Sequence, residues 1–248
     1  MATYKKRATK KAETAVQSES TTEEVFSTLD TRAGSAERWV AQNQQIILGT
    51  ILGIIVVVLG FLAYRNFVVL PKSEEANNEM FQAQKYFDQG LADETQRDSL
   101  FGLALNGGEG KYGFLDIIDN YAGTDAADLA GYSAGMIYLQ LEEFELAIDY
   151  LEDFNANDPV LGALALGGIG DAFAELSQYE DALDYYQKAL DYSDNALTRP
   201  RFLRKAGLVA LDLGKNKTAA KYFGELKDKF KDSPDSKHID ALLGMAQN

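Results

Sequence analysis

Three segments in the C-terminal half of the chain share one internal pattern, which constrains the fold more than any other feature. Each segment opens on a glycine, has an alanine twelve residues later, and has a large apolar residue four residues after the alanine. The three sets are Gly135, Ala147 and Leu151, then Gly170, Ala182 and Tyr186, then Gly207, Ala219 and Phe223. Successive segments are 35 and 37 residues apart. Such periods predict a stack of helical hairpins, with two antiparallel helices in each repeat.

The residue types at these positions fit closely crossing helices. Small residues are needed where two backbones approach, which accounts for glycine in the first helix and alanine in the second. The pattern resembles the tetratricopeptide repeat. Clear repeats are predicted at about 128–160, 163–195 and 200–234. Where the family usually has an aromatic residue at the start of the unit, these segments have Gly131, Leu166 and Leu203, so they are divergent repeats.

The segments around the clear repeats also have helical character. Residues 74–90 and 111–130 have helical spacing and partial repeat signatures, and the sequence GLALNGGEG at 102–110 is predicted to be a loop between them. Residues 236–246 are predicted to form a C-terminal capping helix. We therefore expect an all-α chain in which residues 71–248 form a tetratricopeptide-type solenoid.

An uncharged apolar segment precedes this domain. No charged residue occurs from Val40 to Tyr64. As a helix, residues 46–64 would span roughly 28 Å, close to the thickness of a bilayer's hydrocarbon core. Trp39 at one end and Tyr64 at the other fit interfacial aromatic anchors. We predict a single N-terminal transmembrane signal-anchor helix at 35–70, with Pro71 at its end.

Two other interpretations of the apolar segment are disfavoured. A buried core helix is disfavoured because few globular helices lack polar residues on every side. A cleaved signal peptide is disfavoured because 45 residues precede the segment and no small-x-small cleavage site follows it.

Gly49, Gly53 and Gly60 fall near one face of the helix. Such a face lets another transmembrane helix approach closely, so we predict a docking face there.

The N-terminal tail, residues 1–34, is predicted to be cytosolic and largely disordered. Up to Arg38 the chain has seven basic and six acidic residues, whereas from residue 65 onward it has 17 basic and 32 acidic residues. The short basic tail favours an N-terminus on the cytosolic side, with the solenoid across the membrane. Thr21 and Glu24 are spaced as a capping box for a short amphipathic helix.

Composition excludes several kinds of site. The formal net charge of −14 argues against nucleic acid as the main partner. The chain has no cysteine and one histidine, His238, so disulfides, thiolate chemistry and most histidine-based metal or catalytic sites cannot be assembled. We predict no catalytic residue, no cofactor and no metal site, and hence no enzymatic activity.

The layout of a short tail, one signal anchor and an acidic repeat domain resembles the bacterial ancillary subunit of the Sec translocon. The sharpest local match is YGFLDIIDNYAGTDAADLAGYSAGMIYLQLEEFELAIDYLEDF at 112–154. The resemblance implies a chaperone-like protein of the bacterial inner membrane with a periplasmic repeat domain. It also implies association with translocon subunits, a membrane-bound prolyl isomerase and secreted client polypeptides.

The concave side of a helical solenoid is lined by the first helices of its repeats. The residues predicted to form this binding surface are Tyr132, Met136, Leu139, Asp171, Glu175, Arg201, Arg204 and Leu208.

Residues 199–231 hold ten basic and three acidic side chains, a basic end that could dock on anionic lipid headgroups or an acidic partner. A solvated face that offsets self-repulsion remains an equal alternative.

Two other classes of function remain open. A cytosolic import receptor or chaperone adaptor would clamp peptide carboxylates with Lys and Asn on successive first helices. The matching faces here carry Tyr132, Met136, Gly167 and Asp171, which disfavours that class. A scaffold of an envelope complex, in cell division or outer-membrane assembly, would have the same architecture as the translocon subunit.

Overall fold

The computed structural model describes residues 38–154 and 158–247, so the tail at 1–34 and the predicted amphipathic helix lie outside the described residues. Within the described ranges the regular elements are helical. In chain order they are α1 (Gln44–Tyr64), a π-helical segment (Arg65–Val69), α2 (Leu70–Ala92), α3 (Arg97–Asn106), α4 (Phe114–Asn120), α5 (Asp125–Gln140), α6 (Phe144–Glu152), α7 (Pro159–Glu175), α8 (Tyr179–Tyr192), α9 (Arg199–Asp212), α10 (Asn216–Lys229), a 3₁₀ turn (Pro234–Ser236) and α11 (Ile239–Gln247).

The chain divides into two compact units, residues 1–65 and 66–248. The helix of the first unit, α1, has no buried residue among its 21. Apart from the half-buried Ile47, its large apolar side chains are exposed, from 46% for Ile55 to 71% for Val57. The helical run Gln44–Ala92, which contains α1, is long and apolar enough to cross a membrane. Within the described residues, α1 is therefore not a core helix of a packed domain.

The prediction that Pro71 ends the helix is wrong. Helix α2 begins at Leu70, has Pro71 in its first turn and continues to Ala92. Proline is tolerated in a first turn because its missing N–H would have no partner there. The preceding residues, Arg65–Val69, are π-helical. This change of hydrogen-bond register separates α1 from α2 and accommodates the proline without stopping the helical run.

The second unit contains the predicted stack of hairpins. The pairs α5 with α6, α7 with α8, and α9 with α10 each pack together, and each pair packs on the next. Helix α11 packs on α10, and its bounds are close to those predicted for the capping helix, 236–246. At the other end, α2, α3 and α4 pack against α5. The structure is thus an all-helical, tetratricopeptide-like solenoid.

The predicted loop at 102–110 is partly wrong, because α3 extends to Asn106. Phe101, Ala104 and Leu105 are buried in the N-terminal core cluster, and this burial stabilises the helix past Gly102. The chain turns only at Gly107, whose φ of 79° is unfavourable for residues with a side chain. A Cβ atom there would lie 2.2 Å from the carbonyl oxygen of Lys111.

The repeat glycines face the large residues of the second helices. A Cβ atom on Gly135 would lie 2.6 Å from Cγ of Leu151, and one on Gly170 would lie 2.7 Å from Cδ1 of Tyr186. The repeat alanines Ala147, Ala182 and Ala219 are fully buried in the same hairpins. The sequence pattern therefore encodes a packing unit in which glycine makes room for the bulky residue of the partner helix.

Candidate binding groove

A groove of about 540 Å³ crosses the first helices of all three repeats near their C-terminal ends, and we call it the inner groove. Helices α5, α7 and α9 each contribute residues to it, and α3, α6 and α8 complete it. Its lining residues are Arg97, Leu139, Gln140, Glu142, Phe144, Asp171, Ala174, Glu175, Tyr186, Lys205, Leu208 and Val209. The lining thus combines apolar residues with five charged groups.

An ion pair inside the inner groove links the second and third repeats. The Lys205 ammonium group on α9 donates to both carboxylate oxygens of Asp171 on α7, at 2.6 Å each. The Tyr186 hydroxyl donates to Oδ1 of Asp171 at 2.6 Å. About a third of each side chain in the ion pair is exposed, at 33% for Lys205 and 27% for Asp171. These contacts fix the relative position of α7, α8 and α9 on the groove surface.

Some charged side chains of the inner groove have ion-pair partners and others have none. Arg97 lies 3.5 Å from the carboxylate of Glu94, and Lys205 is paired with Asp171. Glu142 and Glu175 line the same groove but form no ion pair with any residue in the ranges 38–154 and 158–247. Lys205 is thus held by Asp171, and two of the three carboxylates are available to a ligand. Arg97 is only partly satisfied, since its Nε is buried without a hydrogen-bond partner among the described residues.

Four of the eight residues predicted for the concave surface line the inner groove, namely Leu139, Asp171, Glu175 and Leu208. The other four, Tyr132, Met136, Arg201 and Arg204, are not part of its lining.

These four residues have other surroundings. Tyr132 contacts Phe154 in a tilted arrangement, with ring centroids 5.2 Å apart, and Met136 packs against the small core cluster. Arg204 donates to the backbone carbonyls of Asp235 and Lys237 at 2.9 and 2.8 Å. Arg201 is exposed. Burial raises the pKa of Tyr132, and the positive charge of Arg201 offsets part of this rise. Arg204 therefore has a structural role, in holding the segment before α11.

Repeat reasoning from the sequence missed several groove residues. Lys205 lies one position after Arg204 on α9 and faces Asp171 instead of the C-terminal segment. The repeat spacing places Tyr186 in the hairpin core, and the structure shows that its hydroxyl also reaches the groove. Arg97 comes from α3, which carries no complete repeat signature, so periodicity gave no signal for it. The sequence offers one indication for Lys205. Successive residues on a helix point in different directions, so Lys205 and Arg204 on α9 must face different neighbours.

A second groove of about 550 Å³ lies beside α6, and we call it the outer groove. Helix α6 has nine residues, whereas α8 and α10 have 14 each, and the described end of the first repeat contributes Leu151, Glu152 and Phe154 to the lining of this groove. The Tyr185 hydroxyl donates to Glu152, and the Lys188 ammonium group lies 3.9 Å from the centroid of the Tyr185 ring. Burial, together with the hydrogen bond to Glu152, raises the pKa of Tyr185 to about 12.

The predicted docking face on α1 is open in the structure. Gly49, Gly53 and Gly60 are exposed, and apart from adjacent residues and the backbone of the same helix, no described atom lies within 4 Å of a Cβ atom built on any of them. The Thr50 hydroxyl on the same helix donates to the carbonyl of Ile46 and is satisfied within the helix. No described residue therefore packs against the glycine face.

The basic end at 199–231 is largely neutralised within the chain. Arg199 pairs with Asp194 and Glu225, and Arg204 is engaged by backbone carbonyls. The remaining engaged basic residues are Lys205, Lys215, Lys227 and Lys229. Six of the ten basic side chains therefore have partners in the described chain, which favours internal charge compensation over a lipid-binding patch.

No group of three or more His, Cys, Asp or Glu residues is placed to hold a metal ion in the part of the chain that the structure describes. This holds for the acidic side chains of the inner groove, all of which are described. The groove therefore has the chemistry of a binding surface, with apolar, hydrogen-bonding and anionic groups.

Comparison with known proteins supports the repeat assignment. The tetratricopeptide repeat family model matches residues 132–159 and 163–195. No curated protein sequence matches the chain. Among solved structures, the chain is similar to the crystal structure of PcrH in complex with the chaperone binding region of PopB, at 20% identity and a TM-score of 0.41, covering 50% of this chain and 98% of that one. The chain thus contains two matched tetratricopeptide repeats, and α9 with α10 adds a third hairpin in the same stack.

Alkaline pH is expected to destabilise the repeat domain through its buried tyrosines. Burial and the neighbouring Asp171 and Glu175 carboxylates raise the pKa of Tyr186 above its ordinary value of 10.0. The unfolded chain then releases the phenol proton at lower pH than the folded chain, so the free energy of unfolding falls as pH rises above about 10. Urea unfolding at a series of pH values measures this slope.

A matched variant isolates the contribution of Tyr186. Tyr186→Phe removes the titrating hydroxyl but keeps the ring, so we expect a shallower fall in stability above pH 10.0 than in the wild type. Burial also raises the pKa of Tyr132, Tyr138 and Tyr222, so part of the slope remains. Identical slopes for both proteins would contradict the assignment to Tyr186.

Proposed function

We propose that this chain is a membrane-anchored interaction protein with chaperone-like binding, whose inner groove receives extended or partly folded segments of other proteins. The observation that carries the proposal is the inner groove itself. It crosses the first helices of three successive repeats and joins apolar residues to unpaired carboxylates. Continuous concave surfaces of this kind are how helical solenoids bind peptides.

The anchoring part of the proposal rests on α1. Its 21 residues form an apolar helix with no buried side chain, and the helical run Gln44–Ala92 satisfies the length and composition needed to span a bilayer. Exposing such a surface to water would be unfavourable by about 25 cal/mol per Å² of apolar area. A lipid environment removes that cost, so we propose that the membrane lipid surrounds α1.

The partner and compartment in this proposal come from the sequence resemblance. We propose that the repeat domain lies in the periplasm of a bacterial inner membrane, with the N-terminus in the cytosol. There it would associate with Sec translocon subunits and a membrane-bound prolyl isomerase and bind secreted client polypeptides. The open face at Gly49, Gly53 and Gly60 supplies a contact for a transmembrane partner. The alternative is a scaffold of a division or outer-membrane assembly complex, with the same anchor and groove.

The proposed role is binding and not catalysis. In the described residues, the charged groups of the inner groove are carboxylates, one lysine and one arginine, and the lysine is held by Asp171. A general base would need a carboxylate with a raised pKa in a water-excluding pocket. Lys205 and Asp171 each expose about a third of their side chains, so the groove is open to water.

A pull-down tests the proposed partners. The full-length chain with a C-terminal tag is isolated in mild detergent or nanodiscs, and the bound proteins are identified by mass spectrometry. We expect translocon subunits with the wild type and their loss with Gly49→Leu/Gly53→Leu, because leucine side chains prevent close helix approach.

The matched control for that experiment is Ile51→Leu/Ile55→Leu, which changes two residues of the same helix without adding bulk to the glycine face. It should retain the partners of the wild type. Recovery of division or assembly proteins without any channel subunit would reject the translocon proposal and favour the scaffold.

A further inference from the structure

We propose that the inner groove selects segments that carry lysine or arginine, with Glu142 and Glu175 as the carboxylates that bind them. This inference rests on the proposed function, since it specifies the ligand of the same groove. Its first support is charge. Residues 65–198, which supply most of the lining, contain 26 acidic and six basic side chains. A cationic segment is therefore attracted to this surface before contact and is complementary to it on contact.

The second support is the local position of the two carboxylates. Glu175 is the last residue of α7, and Glu142 lies two residues after the last residue of α5. Helix C-termini carry partial negative charge, so a carboxylate is unfavourable there and a cation is favourable. Neither glutamate has an ion-pair partner among the described residues. A basic side chain of a ligand would supply the missing positive charge at two successive first helices.

The third support is the backbone at Glu142. Its φ is 61°, and the equivalent turn positions of the next repeats are Ser177, at 59°, and Gly214, at 67°. The turns share one hydrogen-bond pattern, in which the next residue's N–H donates to a carbonyl five residues before it. Glycine is the favoured residue in this conformation, as in the third repeat. The first repeat instead places a glutamate there, in the lining of the groove.

The dimensions of the surface indicate the length of the ligand. Packed helices lie about 8–10 Å apart, so a ligand that crosses three first helices would span at least about 20 Å. An extended chain advances about 3.3 Å per residue, so at least about six residues would cross the groove. Leu139, Phe144 and Leu208 offer apolar contacts between the charged positions. The ligand class is therefore a short extended segment that combines apolar residues with lysine or arginine.

The test uses the full-length chain in phosphatidylcholine nanodiscs and three fluorescent peptides of about ten residues. The peptides share an alternating leucine framework whose polar positions are lysine, glutamine or glutamate. We expect the lysine peptide to bind at least about tenfold more tightly than the glutamate peptide, and the difference to shrink with added salt. Empty nanodiscs measure adsorption to lipid, which is subtracted.

The variant Glu142→Gln/Glu175→Gln should weaken lysine-peptide binding by about three- to tenfold, the range for two partly exposed ion pairs, and leave glutamine-peptide binding unchanged. The matched control Glu145→Gln/Asp149→Asn removes two exposed carboxylates from α6, outside the groove lining. It should leave the lysine preference intact. The groove variant should unfold at no lower temperature than the wild type, since it removes unfavourable charge from two helix ends.

The outcomes separate the inference from the function on which it rests. Equal binding of all three peptides, or equal losses in the groove variant and its control, would reject the selection for basic segments while leaving peptide binding established. Absence of binding by every peptide would reject the proposed groove function and the inference with it. A lysine preference that disappears only in the groove variant supports both.

Discussion

Replacing Ile54 and Val57 with arginine is expected to release the protein from the membrane fraction. Both residues lie near the middle of α1, where Ile54 is 58% and Val57 is 71% exposed. Placing arginine at the centre of a spanning helix costs about 2.5–3.5 kcal/mol on insertion scales, so two substitutions oppose insertion by about 5–7 kcal/mol. The wild type should stay in the membrane pellet after alkaline carbonate extraction, and the double variant should appear in the supernatant.

The control for this experiment places the same charge on equally exposed apolar residues elsewhere. Phe81 on α2 is 69% exposed, and Leu197 before α9 is 72% exposed. The variant Phe81→Arg/Leu197→Arg should fractionate with the membrane as the wild type does. Release of the wild-type protein by carbonate without detergent would contradict the anchor, and a shift of both double variants would show a general effect of added charge.

The repeat architecture could be predicted from sequence because its signal is periodic and carried by residues with few alternatives. Gly135, Gly170 and Gly207 each stand where a Cβ atom would overlap a large side chain, so the pattern reports packing directly. The same reasoning failed where context decided the structure. Pro71 would stop most helices, but a π-helical segment ahead of it changes the hydrogen-bond register. The first half of the predicted loop at 102–110 is helical, up to Asn106, because its apolar residues Ala104 and Leu105 are buried.

The candidate site was predicted less completely than the fold. First-helix positions indicated Asp171 and Glu175, but one step along α9 separates Lys205, which enters the groove, from Arg204, which binds the C-terminal backbone. Successive side chains on a helix point about 100° apart, so a prediction that is wrong by one residue places a different side chain in the groove. Arg97 and Glu142 were out of reach for another reason. The first comes from a helix outside the clear repeats, and the second from a turn.

Replacing Gly207 with alanine is expected to lower the free energy of unfolding by about 1–3 kcal/mol, the usual effect of adding a methyl group to a packed core. The added Cβ atom would lie 2.3 Å from Cε1 of Phe223, whose side chain is fully buried. The ring therefore has no path into solvent, and the overlap must be relieved by moving α9 away from α10. Urea unfolding of the full-length chain, followed by the helical circular dichroism signal, measures the change.

Gly224 supplies the control from within the same hairpin. It lies on α10, and beyond its neighbours and the backbone of its own helix no described atom is within 4 Å of its ideal Cβ position, so Gly224→Ala gains helix propensity without a clash. We expect it to raise the free energy of unfolding by up to about 1 kcal/mol. Adding Phe223→Leu to Gly207→Ala should recover part of the loss, because leucine vacates the space that the new methyl group needs. Equal effects of the two glycine substitutions would show that these glycines are not packing positions, and the repeat pattern would lose its physical basis.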